Sequence, residues 1–348
     1  MEPPTLLRDL LGAVAPSGLE GPAASVWEEA TAACAAIRRD KLGSVIATVS
    51  PGGPVVTRLA MFCHADEIGL IVTHVDTDGF IRFVGTGGWD YELLPGQKVV
   101  LETGNGTVRG VVGPVETAKL PRPVKAEDLF IDIGVANRVE ALELVAIGDV
   151  GVIDHEPLSL LGNRFSARAL DNRLGAYIVH EVLRHLAADP SPSVEAIGVL
   201  TAQEETSLAG ARTSANLIAP DVAVAVDVTF ATESGDADIA RVGAHPLGSG
   251  PVIGVGPSIA RPVSNLLCAT AEECGIAYTV EASRGRTGTD VDGVQSVGAG
   301  VPCGTVLLPL RYMHTPVEVA DLDDVAATIT LLVEFARRCS ALAPNPDR

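Results

Sequence analysis

The sequence predicts an α/β protein: a mainly parallel, mixed sheet with helices on both faces, interrupted by an inserted small β-barrel domain. Three observations carry this reading. From about residue 165, apolar strand-like runs alternate with helical segments, as in parallel strands joined by helical crossovers. From about 71 to 162, short alternating runs (FIRFVG, QKVVLE, TVRGVVG) are punctuated by GTGG, LPGQ and GNG turns, the texture of a small antiparallel barrel or sandwich. Finally, 348 residues with 47% hydrophobic but only 4% aromatic content suffice for one large or two ordinary domains with an Ala, Val, Leu and Ile core.

The elements follow in order. The N-terminal MEPPTLLRDLLGAVAP reads as a first helix, and SGLEGPAASVWEEATAACAAIRR predicts a second, with Ser17 and Glu20 at capping-box spacing. Strands are expected at SVIATVS (44–50) and TRLAMFC (57–63), the latter running into His64. Beyond the β-rich stretch come a helix over 172–187, the strand EAIGVLT, the helical ARTSANLIA, and the strands VAVAVDV and VIGVG. A helix over 263–274, the strands AYTVEA and VPCGTVLLPL, and a closing helix over 322–342 complete the chain. The simplest assembly is an α/β domain from 1–70 plus 163–348, carrying an inserted β domain at 71–162.

Charge narrows the function. With 25 basic against 44 acidic residues, the net charge is −19. Nucleic acid and anionic membranes are poor partners for such a chain, because both select clustered Lys and Arg. Runs such as VAVAV are too short to span a bilayer, and the N-terminal segment lacks the basic start of a signal peptide. Six cysteines without a CxxC pair do not form a disulfide framework, so a cytoplasmic address is expected. No phosphate-binding Gly-rich loop and no GxSxG elbow occurs.

What remains is a set of metal-ligating side chains at strand ends. His64 follows TRLAMFC, Glu204 and Glu205 follow EAIGVLT, and Asp227 closes VAVAVDV. His314 comes just after VPCGTVLLPL, and Asp171 sits just before a helix. Open α/β sheets gather their sites at the carboxyl ends of strands. Taken singly, a histidine is more often packed, a Glu-Glu pair solvated and an Asp a helix cap. Their joint placement points to two divalent ions, Zn²⁺, Co²⁺ or Mn²⁺, held by imidazole and carboxylate. A carboxylate bridging the pair lets a hydroxide sit between them, with the ions polarising a carbonyl and steadying its oxyanion. His180 and His185 lie on a helix away from strand ends, and His74 and His245 lack acidic neighbours. His155, between Asp154 and Glu156, reads as a loop within the β insertion.

Across nearly its whole length the chain resembles the tetrahedral (TET), or glutamyl and deblocking, aminopeptidases. The matching segments, in the family's order, are SGLEGP (17–22), HADEIGLIV (64–72), FIDIG (130–134), ALDNRLGAYIV (169–179), TAQEETSLAGAR (201–212), AVDVT (225–229) and the long block 288–325. The resemblance implies a zinc-peptidase-like fold and an aminopeptidase acting on short peptides. It further implies that Asp171 bridges two ions, that His64 and Asp227 complete one site, and that Glu205 and His314 complete the other. Asp66 would orient the His64 ring by taking its N–H, and Glu204 would be the general base. A homo-oligomer, such as a tetrahedral dodecamer, is implied as well. Ser207 and Ala209 replace Gly and Arg of the family's QEEVGLRGA, and Asp292 adds an acid after Asp290; pocket, turn and cap roles are open for these two acids. Two rival functions use the same residues. One is a carboxypeptidase or deacylase, for which Arg173, Arg212, Arg284 or Arg311 would recognise a carboxylate or acyl group. The other is a non-catalytic metal-binding scaffold, which would have no need of Glu204.

Overall fold

The computed structural model describes residues 2–114, 122–233 and 239–342. Its strands are β1 (Ala36–Arg39), β2 (Val45–Val49), β3 (Thr57–His64), β4 (Gly69–Val75), β5 (Ile81–Thr86), β6 (Lys98–Thr103), β7 (Gly106–Pro114), β8 (Leu129–Asp132) and β9 (Val150–Ile153). They continue with β10 (Leu158–Ser159), β11 (Arg164–Ala167), β12 (Val194–Thr201), β13 (Val222–Phe230), β14 (Val252–Val255), β15 (Thr279–Ala282), β16 (Cys303–Leu310) and β17 (Glu318–Asp321).

Eight strands form the main sheet in the order β1-β2-β12-β3-β13-β16-β14-β15. Its centre, β12-β3-β13-β16, is parallel, while β2 and β14 join it antiparallel. The sheet is therefore mixed. Side chains alternate across it, and both faces are covered. Leu59, Met61 and Cys63 of β3 face a core shared with Trp27, Leu174, Ile178, Leu267 and Phe335. Ala60 and Phe62 face the opposite core, shared with Ala211, Ala215, Ile218, Val291 and Val294. Trp27 compensates for the scarcity of aromatics: it is fully buried and donates its indole N–H to the Ala176 carbonyl at 2.8 Å. Burying a side chain of roughly 200 Å² contributes about 5 kcal/mol.

Between β3 and the rest of the sheet the chain forms a closed antiparallel barrel, β4-β5-β8-β7-β6-β9, filled by Leu70, Val72, Ile81, Phe83, Leu101, Val112 and Ile131. Strand β10 turns back to pair with β11, which pairs in turn with β17. One local expectation fails. The second helix, Gly21–Thr31, has Glu20 as its N-cap and no side-chain cap. Ser17 instead donates to the Asp66 carboxylate at 2.6 Å, and Glu20 accepts from the Gly18 and Gln203 amides at 2.7 and 3.1 Å. A buried carboxylate 49 residues away outcompetes the local cap.

Candidate active site

Register brings the first group of ligands together. Thr201 of β12 lies opposite His64, and Ala225 of β13 lies opposite Phe62, which sets Asp227 level with His64. By alternation His64 falls on the face of Ala60 and Phe62, and Asp227 on that of Ala223 and Ala225. Asp171 reaches them from the start of the helix Leu170–Ala188, where it and Asn172 have non-helical dihedrals, so the regular helix begins after them. Asn172 fixes this start by donating to the Val226 carbonyl at 2.9 Å and accepting from the Gly175 amide at 2.9 Å. Gly175 is required there, because a Cβ would stand 2.4 Å from the Val226 carbonyl oxygen.

Nε2 of His64 is 3.0 Å from Asp171 Oδ1 and 3.9 Å from both Glu204 Oε2 and Asp227 Oδ1. Nε2 of His314 is 3.3 Å from Asp171 Oδ2 and 3.6 Å from Glu205 Oε2. Two overlapping triads result, His64–Asp171–Asp227 and Asp171–Glu205–His314, each with donor atoms within 4.8 Å of one another. Asp171 belongs to both. All five ligand candidates converge, with Glu204 alongside.

The supports are long-range. Gln203 turns the chain in the left-handed region (φ 60°) directly into the short helix Glu204–Ser207. The Asp66 carboxylate accepts the Glu204 and Glu205 amides at 3.0 and 3.1 Å. The His64 Nδ1 faces the Asp66 backbone carbonyl at 3.0 Å, with the nearer carboxylate oxygen at 3.6 Å. Asp66 thus meets the ring through its backbone, and its carboxylate organises the Glu204–Glu205 turn. On the other side, the barrel loop between β5 and β6 supplies the Gly88 carbonyl, 3.1 Å from His314 Nδ1. Glu67, Arg168 and Arg173 form a buried ionic cluster behind the site, and Arg173 also donates to the Ala65 carbonyl. Ile68, Trp89, Asp171, Glu205, His314 and Glu318 line a narrow cleft.

Electrostatics single out the cleft. Burial, with Asp227 and other carboxylates nearby, pushes Glu204 up to about 10 despite His64. Burial and Asp171 push Glu205 up to about 8, and burial holds Asp227 well above the usual range. A hydrogen bond to Asp171 raises His314 to about 9. Among the described residues no Lys or Arg forms an ion pair with Asp171, Glu204, Glu205 or Asp227. Oε1 of Glu205 is buried without a hydrogen-bond partner. Concentrated anionic oxygens, two imidazoles whose Nε2 atoms both face the Asp171 carboxylate, and an orphaned buried oxygen fit divalent cations of the Zn²⁺, Co²⁺ or Mn²⁺ kind.

The M42 glutamyl aminopeptidase family model matches residues 43–331. The chain belongs to that family. It is 36% identical over 303 residues to a lysyl aminopeptidase of Pyrococcus furiosus, covering 85% of each chain. An aminopeptidase from Desulfurococcus kamchatkensis superposes with a TM-score of 0.90 at 32% identity, over 97% of this chain and 96% of that one. The Pyrococcus horikoshii TET1 peptidase, which can assemble into a tetrahedron or a large octahedral shell, superposes at 0.84 with 29% identity, over 95% and 98%. As an M42 peptidase the chain is a metal-dependent aminopeptidase, a hydrolase of peptide bonds.

Several of the other polar candidates have structural partners, while Arg284 is exposed. Asp292 accepts the Thr287 and Gly288 amides at 3.0 Å, a turn role. Asp290 is buried and accepts from Thr201 Oγ1 at 2.7 Å. His245 has both ring nitrogens partnered, by Thr279 and the Val242 carbonyl, and His180 faces Thr31. Of the arginines that would suit a carboxylate-recognising enzyme, Arg173 is fully buried on Glu67, Arg311 is held by Glu233 at 2.8 Å, and Arg212 donates to the Ser207 carbonyl. Sequence reasoning missed Glu318 and Gly88. Glu318 closes the conspicuous HTPVE run, whereas Gly88 contributes only a carbonyl and leaves no signal.

Proposed function

We propose that the chain is a dinuclear metallo-aminopeptidase that removes N-terminal residues from short peptides. One observation carries this: the two triads share Asp171, and Glu204 stands beside them without being needed as a ligand. His64, Asp171 and Asp227 would hold one ion, and Asp171, Glu205 and His314 the other, Zn²⁺ being the best fit to this donor set. When bound, the ions supply Lewis acidity toward the scissile carbonyl and acidify the attacking water. Glu204 takes the proton from that water and returns it to the leaving amine. Its Oε2 stands 3.9 Å from His64 Nε2, at the edge of the ligand set, where a base for that water has to be. Asp66 holds this arrangement by gripping the Glu204 and Glu205 amides.

Residues 1–70 and 163–348 form the catalytic part in this reading, and 71–162 an insertion serving assembly and substrate access. A homo-oligomer, a tetrahedral dodecamer being one form, is supported by the assemblies of the Pyrococcus horikoshii relative. Exposed apolar residues such as Leu161 and Ile147 are available for contacts between copies. Six free cysteines fit a cytoplasmic setting, and among the described residues no helix is long and apolar enough to cross a membrane.

The decisive test is Glu204→Gln. Turnover should fall by at least about 100-fold, the range of general-base contributions, while elemental analysis still finds two ions per chain. Activity within about tenfold of the parent would remove Glu204 from proton transfer. N-acetylating a peptide substrate should also abolish cleavage, whereas C-amidation should leave it.

A further inference from the structure

Glu318 takes no part in either triad, yet it is only 2% exposed and touches the backbone of both His314 and Asp171. Its Oε1 accepts the His314 amide at 2.9 Å and its Oε2 the Asp171 amide at 3.1 Å. These two amides are 143 residues apart in sequence (314 − 171). No other side chain among the described residues accepts from both. Strand β17 places Glu318 opposite Ala167 of β11, which runs directly into Asp171. His314, at the other end, lies in a turn where it and Tyr312 both have left-handed backbones, φ 61° and 57°.

We propose that Glu318 is a positioning residue that holds the His314 turn in register with Asp171 and so sets the affinity of the Asp171–Glu205–His314 site. The inference rests on the dinuclear reading above. The two sites should not depend on it equally. His64 and Asp227 lie on adjacent parallel strands, and Asp171 keeps a second anchor through Asn172 on the Val226 carbonyl. Among the described residues His314 lies in no strand, and its backing is the Gly88 carbonyl on its ring and Glu318 on its amide. A carboxylate accepts at both oxygens, whereas an amide of the same shape presents an NH₂ to one of the two N–H groups. Glu318→Gln therefore keeps the volume and breaks one grip.

The test is a Co²⁺ titration of chelator-stripped protein, repeated with Zn²⁺, on the parent, H314A and E318Q. The event abolished in H314A should weaken about 10–100-fold in E318Q, the usual effect of removing a residue that orients a ligand. The other event should stay within about threefold. With saturating metal, kcat should fall more than KM rises. Two unchanged binding events would overturn the proposal, and so would equal weakening of both together with a lower metal-free melting temperature. Should E318Q not fold, E318D carries the same comparison, because its shorter carboxylate retains charge but cannot span both amides. A parent protein that takes up no metal sinks the dinuclear reading itself. Two ions bound equally well by parent and variant sink only the role of Glu318.

Discussion

Among the described residues, four of the six non-glycine positions with positive φ lie in or beside the candidate ligand set: Ala169, Gln203, Tyr312 and His314. Each left-handed residue costs about 1–2 kcal/mol relative to ordinary backbone, so packing elsewhere must hold them. The same economy shows at His180, far from the cleft. Its Nδ1 lies 3.0 Å from Thr31 Oγ1 and its Nε2 lies 3.8 Å from Glu181, on a helix packed against the core. Burial lowers its pKa from 6.5, only partly opposed by Glu181. The folded state thus binds this proton less readily than the unfolded chain. The stabilisation is present above pH 6.5 and is lost as pH falls through the folded-state value. Replacing His180 with Gln should flatten the loss of melting temperature between about pH 7.5 and about pH 5.5 in metal-free protein. Parallel curves for parent and variant would show that His180 contributes nothing to the acid limb.

At the scale of elements, much of the architecture was legible. Apolar runs of strand length beside His64, Glu204 and Asp227 marked the parallel strands and the rim where the candidate ligands gather, because alternation and burial leave a local trace. The Ser17 capping box was a false local signal, since Ser17 serves Asp66 instead. Gly88 could not be read at all. Its contribution is a carbonyl, delivered across 226 residues, and backbone groups carry no side-chain code. The same loop yields a sharp prediction. A Cβ on Gly88 would stand 2.8 Å from His314 Nδ1 and 3.3 Å from Cε1, and its φ lies outside the left-handed range. Gly88→Ala should therefore spare the fold but push the imidazole aside, lowering kcat by about 10-fold or more, in line with other losses of a ligand-orienting contact. Full activity in this variant would mean that the barrel loop does not set the position of His314.

For the whole molecule, the question is what offsets the repulsion stored in the cleft. Asp171, Glu204, Glu205 and Asp227 are confined with two histidines and no arginine or lysine partner among the described residues. Burial pushes Glu204 and Glu205 to about 10 and about 8, so deprotonating them at neutral pH opposes folding unless a cation binds. Elsewhere buried charges have partners: Glu67, Arg168 and Arg173 pair with one another, and Asp324 accepts the Gly248 and Gly250 amides. The cleft is then where a bound ion couples most strongly to stability. An ion present at 100 times its Kd stabilises the native state by about 2.7 kcal/mol, and two independent ions by about twice that. Stripping the metals should lower the melting temperature by several degrees, about 2–4 °C per kcal/mol for a domain of 150–250 residues and less for a longer chain. Restoring Zn²⁺ should reverse the loss, and Asp171→Asn, which removes charge from both triads at once, should reduce that recovery more than Asp227→Asn does. Equal melting temperatures with and without chelator would mean that the clustered carboxylates are accommodated without a cation, and the dinuclear reading would have to be abandoned.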